Sequence, residues 1–262
     1  MKWILTTVLL LVMSSRSHAL EFQTITGGTL SSTLVEILTS DEARFINTVA
    51  LHFTNAQECW KQRIIPKQKA IDKITIGTIL VCRRFWPQQP EKLCQFFTMI
   101  ISESGGNNIG NPIDPSFGVC HVTFSSAHHA CWAWGIIHPK TRLCDARCRG
   151  LIYKSPISFL DLLSQDVMFN ITCGAGEAAL ADIKANHDWV RAVLMYKFGE
   201  RGFFNALNRL EDQPITEMKS KNGQYIWKNY NRVYSWMMCL NDRSSIVPTS
   251  PCGCLPIEII TP

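Results

Sequence analysis

Beyond its first nineteen residues this 262-residue chain has no unbroken apolar run of the ~18 residues that a membrane span needs, so a soluble mature chain is predicted. Charged residues are few, 18% against 46% hydrophobic, which excludes a disordered or polyelectrolyte chain and predicts one or two domains with a real core. Low-complexity tracts, internal repeats and a collagen period are absent. No glycine-rich phosphate loop of known spacing occurs, and nothing points to a metal, nucleotide or redox cofactor. The formal charge is +5; Lys2 and Arg16 lie in the first nineteen residues, which hold no acid, and without that segment it is +3. So small an excess suits a polyanionic surface only slightly and does not indicate a nucleic-acid binder.

What is present begins with an address. Lys2 gives a positive start, Trp3 to Met13 is a short and mostly apolar run, and Ser17-His18-Ala19 puts small residues at the two positions a signal peptidase reads. This predicts a secretory signal peptide over 1–19, cleaved after Ala19, and a periplasmic or secreted location. The apolar run is shorter than the ~17–25 residues of a membrane anchor.

All eleven cysteines lie beyond Ala19. In an exported chain they read as up to five disulfides with one thiol over. Cys252-Gly253-Cys254 is too short to close on itself, so both thiols are expected to pair elsewhere. A zinc site is the rival reading for Cys120, His121, His128, His129 and Cys131, although their spacing matches no common structural zinc pattern.

Period-two alternation is scarce and three- to four-residue spacing is common, which predicts a mainly α protein. Residues 20–38 read as a loose leader. Asp41 is a candidate cap for a helix through Phe45, Val49 and Phe53, with Pro66 and then Gly77 as breaks. Pro90 and Glu91 suit the first turn of a helix carrying Leu93, Phe96, Phe97, Ile100 and Ile101, which Gly105-Gly106 stop. Residues 104–122 form a long loop rich in Gly, Asn and Pro, of a kind usually tied to function. Further helices are expected from Ser125 or Ser126, over Glu177–Phe198, and over Gln224–Cys239. The organisation is then a helical N-terminal extension over 20–87, a domain over 88–240 and a Cys- and Pro-rich tail over 241–262.

Glu103 sits where an apolar helix meets a Gly-rich loop, close to Met99, Ile100 and Ile101. A carboxyl desolvated by such neighbours is expected to titrate high and stay protonated, as a general acid for glycosidic cleavage must be. On position alone, a solvated helix-end glutamate is the competing reading. Asp114, in the same loop, is a candidate second acid or a turn former before Pro115. Trp132, Trp134, Tyr225, Trp227, Tyr230 and Trp236 are candidate sugar platforms or core aromatics.

Glu103-Ser104 is followed by Asn107, by Gly118 fifteen positions on, and by Val122 and Ser126-Ala127. Asn170-Ile171 with Gly174, the block Ala192–Gly199, and an aromatic helix containing Tyr225 and Val233 come later. This order of blocks, over roughly residues 88–238, resembles the soluble lytic transglycosylase domain, a relative of goose-type lysozyme. The resemblance implies a lysozyme-like superfamily domain, a catalytic acid at Glu103, substrate-binding positions at Ser104, Gly118, His121 and Tyr196, and no metal or cofactor. It implies peptidoglycan glycan strands as substrate. One carboxyl protonates the oxygen between N-acetylmuramic acid and N-acetylglucosamine. The same group then acts as base while the muramic 6-hydroxyl closes an anhydro ring. Tyr196 is expected beside Glu103, donating to substrate or acid. Short exported members of the family serve envelope-spanning machines such as conjugation or type IV secretion systems, a partner class implied here by size and fold only.

Three positions depart from that family. Gly118-Val119-Cys120-His121 stands for Gly-Leu-Met-Gln, Pro112 replaces a loop serine, and Lys197 replaces the asparagine after the tyrosine. They keep open a non-catalytic peptidoglycan-binding or assembly module on the same fold; Asp114 keeps open a lysozyme-type hydrolase, and an unrelated Cys-rich secreted interaction protein is the third alternative.

Overall fold

In the computed structural model of the protein, residues 38–110, 116–138, 140–141, 156–207, 221–242 and 252–254 are described. Of 156–158, 200–207, 221–223 and 225 this covers the backbone alone. The expected signal peptide, most of the leader, Pro112, Asp114 and the Tyr225 side chain fall outside the described residues.

The described chain is mainly helical: α1 Ser40–Trp60, α2 Gln68–Phe85, α3 Glu91–Ser104, β1 Ser116–Phe117, β2 Val122–Thr123, α4 Phe124–Trp134, α5 Pro156–Gln165, α6 Val167–Lys184, α7 Trp189–Leu207 and α8 Lys221–Asp242. The two short strands pair antiparallel, Ser116 opposite Thr123 and Phe117 opposite Val122. None of the described helices is long and apolar enough to cross a membrane.

Local chemistry sets most helix ends. Thr39 caps α1, its hydroxyl accepting from the Glu42 N–H while the Glu42 carboxylate accepts from the Thr39 N–H. The cap is therefore two residues earlier than Asp41. Phe45, Val49 and Phe53 are buried as the spacing requires. Gly105 closes α3 in the left-handed region at φ 62°.

Gly77 was expected to break a helix and instead lies inside α2. A Cβ there would sit 2.8 Å from Ile171 Cδ1 and 3.2 Å from Met168 Sδ, so the missing side chain lets α2 press against α6. One helix was expected over Glu177–Phe198; two are found. Asn186 and His187 take left-handed φ of 52° and 64° between α6 and α7 and turn the chain. Ile183, assigned to the apolar side of that single helix, is exposed.

Helix α6 is the hub. Gly174, Ala175, Gly176, Ala178 and Ala179 give it a low profile against which α2, α4 and α7 pack, while α8 lies on α1 and α3. One continuous core runs from Phe45 in α1 to Leu240 in α8, so the helices of the segment read as an N-terminal extension share the core of the rest. Phe45, Phe96, Phe97 and Trp236 are fully enclosed in it; each such side chain contributes ~1.5–3 kcal/mol by leaving water. Tyr230 and Trp236 are thus core residues rather than platforms, whereas Trp132 is 55% exposed. Buried polar links brace the helices. Arg83 holds the Glu42 carboxylate through two hydrogen bonds of 2.6 and 2.7 Å, and Asp182 accepts from Lys92 and from the Trp86 indole, both at 3.0 Å.

Cys59–Cys252 and Cys239–Cys254 are disulfides, which tie the tail cysteines back to α1 and α8, and Cys131 is also bridged. Cys82, Cys94, Cys120 and Cys173 are buried thiols. With four of eleven cysteines reduced, at most three bridges form rather than five.

Candidate active site

The site is built around the turn that joins the two strands. Its carbonyls and amides are gripped from three helices. From α3, the Ser104 hydroxyl donates to the Val119 carbonyl at 2.7 Å and accepts from the Gly106 N–H at 3.1 Å. From α6, the Asn170 carboxamide donates to the Phe117 carbonyl at 2.8 Å and accepts from the Cys120 N–H at 2.9 Å. From α7, the Tyr196 hydroxyl donates to the Cys120 carbonyl at 2.7 Å.

Two glycines make this grip possible. Gly118 has φ 77°, and a Cβ on it would fall onto the Asn170 carboxamide. On α6, a Cβ at Gly174 would lie 2.6 Å from Cys120 Cβ and 2.8 Å from its sulfur. Burial pushes the Cys120 thiol well above its ordinary range, with the nearby Glu103 carboxylate adding to it, so Cys120 is an uncharged filler here. Burial likewise raises the Tyr196 hydroxyl well above the usual phenol range. It stays a neutral donor.

The turn delivers His121 to Glu103. His121 takes a left-handed φ of 46°, its N–H donates to the Gly118 carbonyl at 3.3 Å, and its Nδ1 lies 3.5 Å from Glu103 Oε2. Lys197, from α7, brings Nζ to 2.5 Å from Glu103 Oε1. That contact is an ion pair, since Oε1 has no aligned hydrogen-bond donor. The Glu103 side chain is only 7% exposed and Lys197 21%.

The five expected site residues therefore come together around one turn, but in different capacities. Glu103 and His121 face each other. Ser104, Gly118 and Tyr196 serve the turn itself: both hydroxyls are bonded to backbone carbonyls, and Gly118 makes room for Asn170. Tyr196 was expected to donate to the acid or to substrate; its hydroxyl is committed to Cys120. The apolar surroundings expected for Glu103 are only half right, because Met99 and Ile100 are buried behind it while a lysine and a histidine flank its carboxylate. Lys197 was read only as a departure from a motif and Asn170 only as part of one. Pairing across 94 positions leaves no local periodicity to find.

The sulfur- and histidine-containing stretch does not converge as a zinc site would. Cys131 is bridged, His121 turns to Glu103 and His129 Nδ1 lies 3.1 Å from Glu177 Oε2; among the described residues no three His, Cys, Asp or Glu side chains gather as a ligand set. No family model matches the chain, and no curated protein or solved structure matches it.

Proposed function

We propose that this chain is an exported lytic transglycosylase on a lysozyme-like domain, cleaving peptidoglycan between N-acetylmuramic acid and N-acetylglucosamine with Glu103 as the only catalytic carboxyl. The observation that carries the reading is the enclosure of Glu103, a carboxyl at the end of an apolar helix, 7% exposed, facing a turn that side chains from three helices hold. Glu103 delivers a proton to the glycosidic oxygen and takes one from the muramic 6-hydroxyl as the anhydro ring closes. No water is consumed, so no second carboxylate is required, in contrast to hydrolases. Oε2 is the oxygen on the His121 side, with His121 Nδ1 3.5 Å from it. His121 donates or accepts where a glutamine would otherwise bind the sugar. Local opening of the wall for an envelope-spanning transfer or secretion system is the role that suits such an enzyme.

A second reading has its own support. Lys197 stands on Oε1 and would have to yield before that oxygen met substrate, which favours a wall-binding module without turnover. Incubating purified sacculi with the wild-type chain and with Glu103→Gln separates the two. Soluble glycan fragments from the wild type alone support catalysis by Glu103, and none from either supports the binding module.

A further inference from the structure

Between Glu58 and Lys73 the chain carries five basic residues against two acidic ones, all seven exposed. Lys61 and Arg63 lie on the connector after α1, Lys67 is the N-cap of α2, and Lys69 and Lys73 share one face of that helix. Among the described residues none of the five cations has a carboxylate within ion-pair reach. Asp72 accepts instead from Gln68.

Helix stability does not account for this placement. Lys67 makes no side-chain cap and the first turn of α2 contains no acid. Cations at a helix N-terminus oppose its dipole, and like charges four apart repel, each at a cost of a few tenths of a kcal/mol. A local rule broken with no structural compensation marks a surface kept for another purpose.

The connector is fastened to the residues that follow Glu103. Gln62 Nε2 donates to the Gly105 carbonyl at 2.8 Å, Asn107 Nδ2 donates to the Ile64 carbonyl at 3.2 Å, and a Cβ on Gly106 would sit 3.4 Å from Pro66 Cγ. The connector that carries Lys61 and Arg63 therefore lies against residues 105–107, which follow Glu103 and Ser104 in the chain.

We infer that Lys61, Arg63, Lys67, Lys69 and Lys73 form a docking strip for the peptide carboxylates of a peptidoglycan strand, leading the glycan towards Glu103. The inference rests on the proposed substrate, because it is that strand's stem peptides that supply a repeating row of carboxylates beside the sugar chain. Spaced, unpaired cations suit such a row better than one compact anion.

The test is co-sedimentation of the full chain with purified sacculi across a salt series, comparing wild type, the charge reversal Arg63→Glu/Lys67→Glu/Lys69→Glu/Lys73→Glu, and Glu103→Gln. Acids at positions 67 and 69 favour the α2 dipole, and a urea unfolding midpoint matching the wild type's separates lost binding from lost folding. The expected result is ~tenfold weaker binding for the charge reversal at low salt and a flatter salt dependence, with Glu103→Gln as the control for glycan release. Equal binding by wild type and charge reversal overturns the strip, as does failure of the wild type to sediment. Tighter wild-type binding to anionic lipid vesicles or to duplex DNA than to sacculi also overturns it. Charge-dependent binding without released glycan upholds the strip and defeats the lyase reading. Released glycan with charge-independent binding does the reverse.

Discussion

Lys197 Nζ lies 2.5 Å from Glu103 Oε1, so the enclosed carboxyl of the candidate site has a cation of its own from another helix. Removing one partner of an enclosed pair strands the other, which typically costs more than the pair itself contributes. Lys197→Met is expected to lower stability by about 2 kcal/mol, and Glu103→Gln to relieve much of that loss in the double variant. Urea unfolding of the two single variants and the double measures it. Strictly additive effects would show that the two residues do not interact.

Gly118→Ala meets two obstacles, a φ of 77° and the Asn170 carboxamide. Its expected cost is about 2–3 kcal/mol, with the turn that carries His121 unseated. An unfolding curve that overlays the wild type would contradict the packing of Asn170 against this turn.

His52 is buried among Phe53, Phe97 and Trp236 with both ring nitrogens unpartnered, and burial lowers its pKa from the usual 6.5 to about 4. The unfolded chain therefore binds a proton that the folded chain refuses. Its stabilising contribution is complete above pH 6.5 and is lost as the pH falls from 6.5 towards 4, about 3 kcal/mol in all. Thermal melts across that window should show the loss for the wild type and a flatter profile for His52→Leu. Parallel profiles would remove His52 from the account.

Cys59–Cys252 spans 193 residues and Cys239–Cys254 spans 15. In the chain-entropy view these loops restrict the unfolded state by about 5 and 3 kcal/mol. Cys252→Ser is thus expected to lower the melting temperature more than Cys254→Ser. The opposite order would mean that native-state packing, not loop closure, sets their contribution.

Much of this was legible wherever a single stretch decides its own structure. The apolar spacing of Leu93, Phe96, Phe97 and Ile100 and the stop at Gly105 needed only neighbours within four residues. Gly77 misled because a glycine that ends a helix and one that admits another helix look alike until Ile171 is in place. Asn186 and His187 were hidden for a related reason: histidine and asparagine tolerate a left-handed turn without announcing one as glycine does. At the site, the turn-forming residues were found but their duties were not. Whether the hydroxyls of Ser104 and Tyr196 face substrate or backbone depends on carbonyls 15 and 76 positions away. The cysteine count was legible; which thiols pair depends on which ones the fold brings together from distant segments, as with Cys59 and Cys252.

The most direct test of Glu103 as a lone acid and base is the mass of the muropeptides that the wild-type chain releases from purified sacculi. Products ending in 1,6-anhydro-muramic acid, lighter by one water than reducing-end products and absent with Glu103→Gln, are expected. Reducing-end products would contradict the single-carboxyl mechanism, and products that persist in Glu103→Gln would move the chemistry away from this residue altogether.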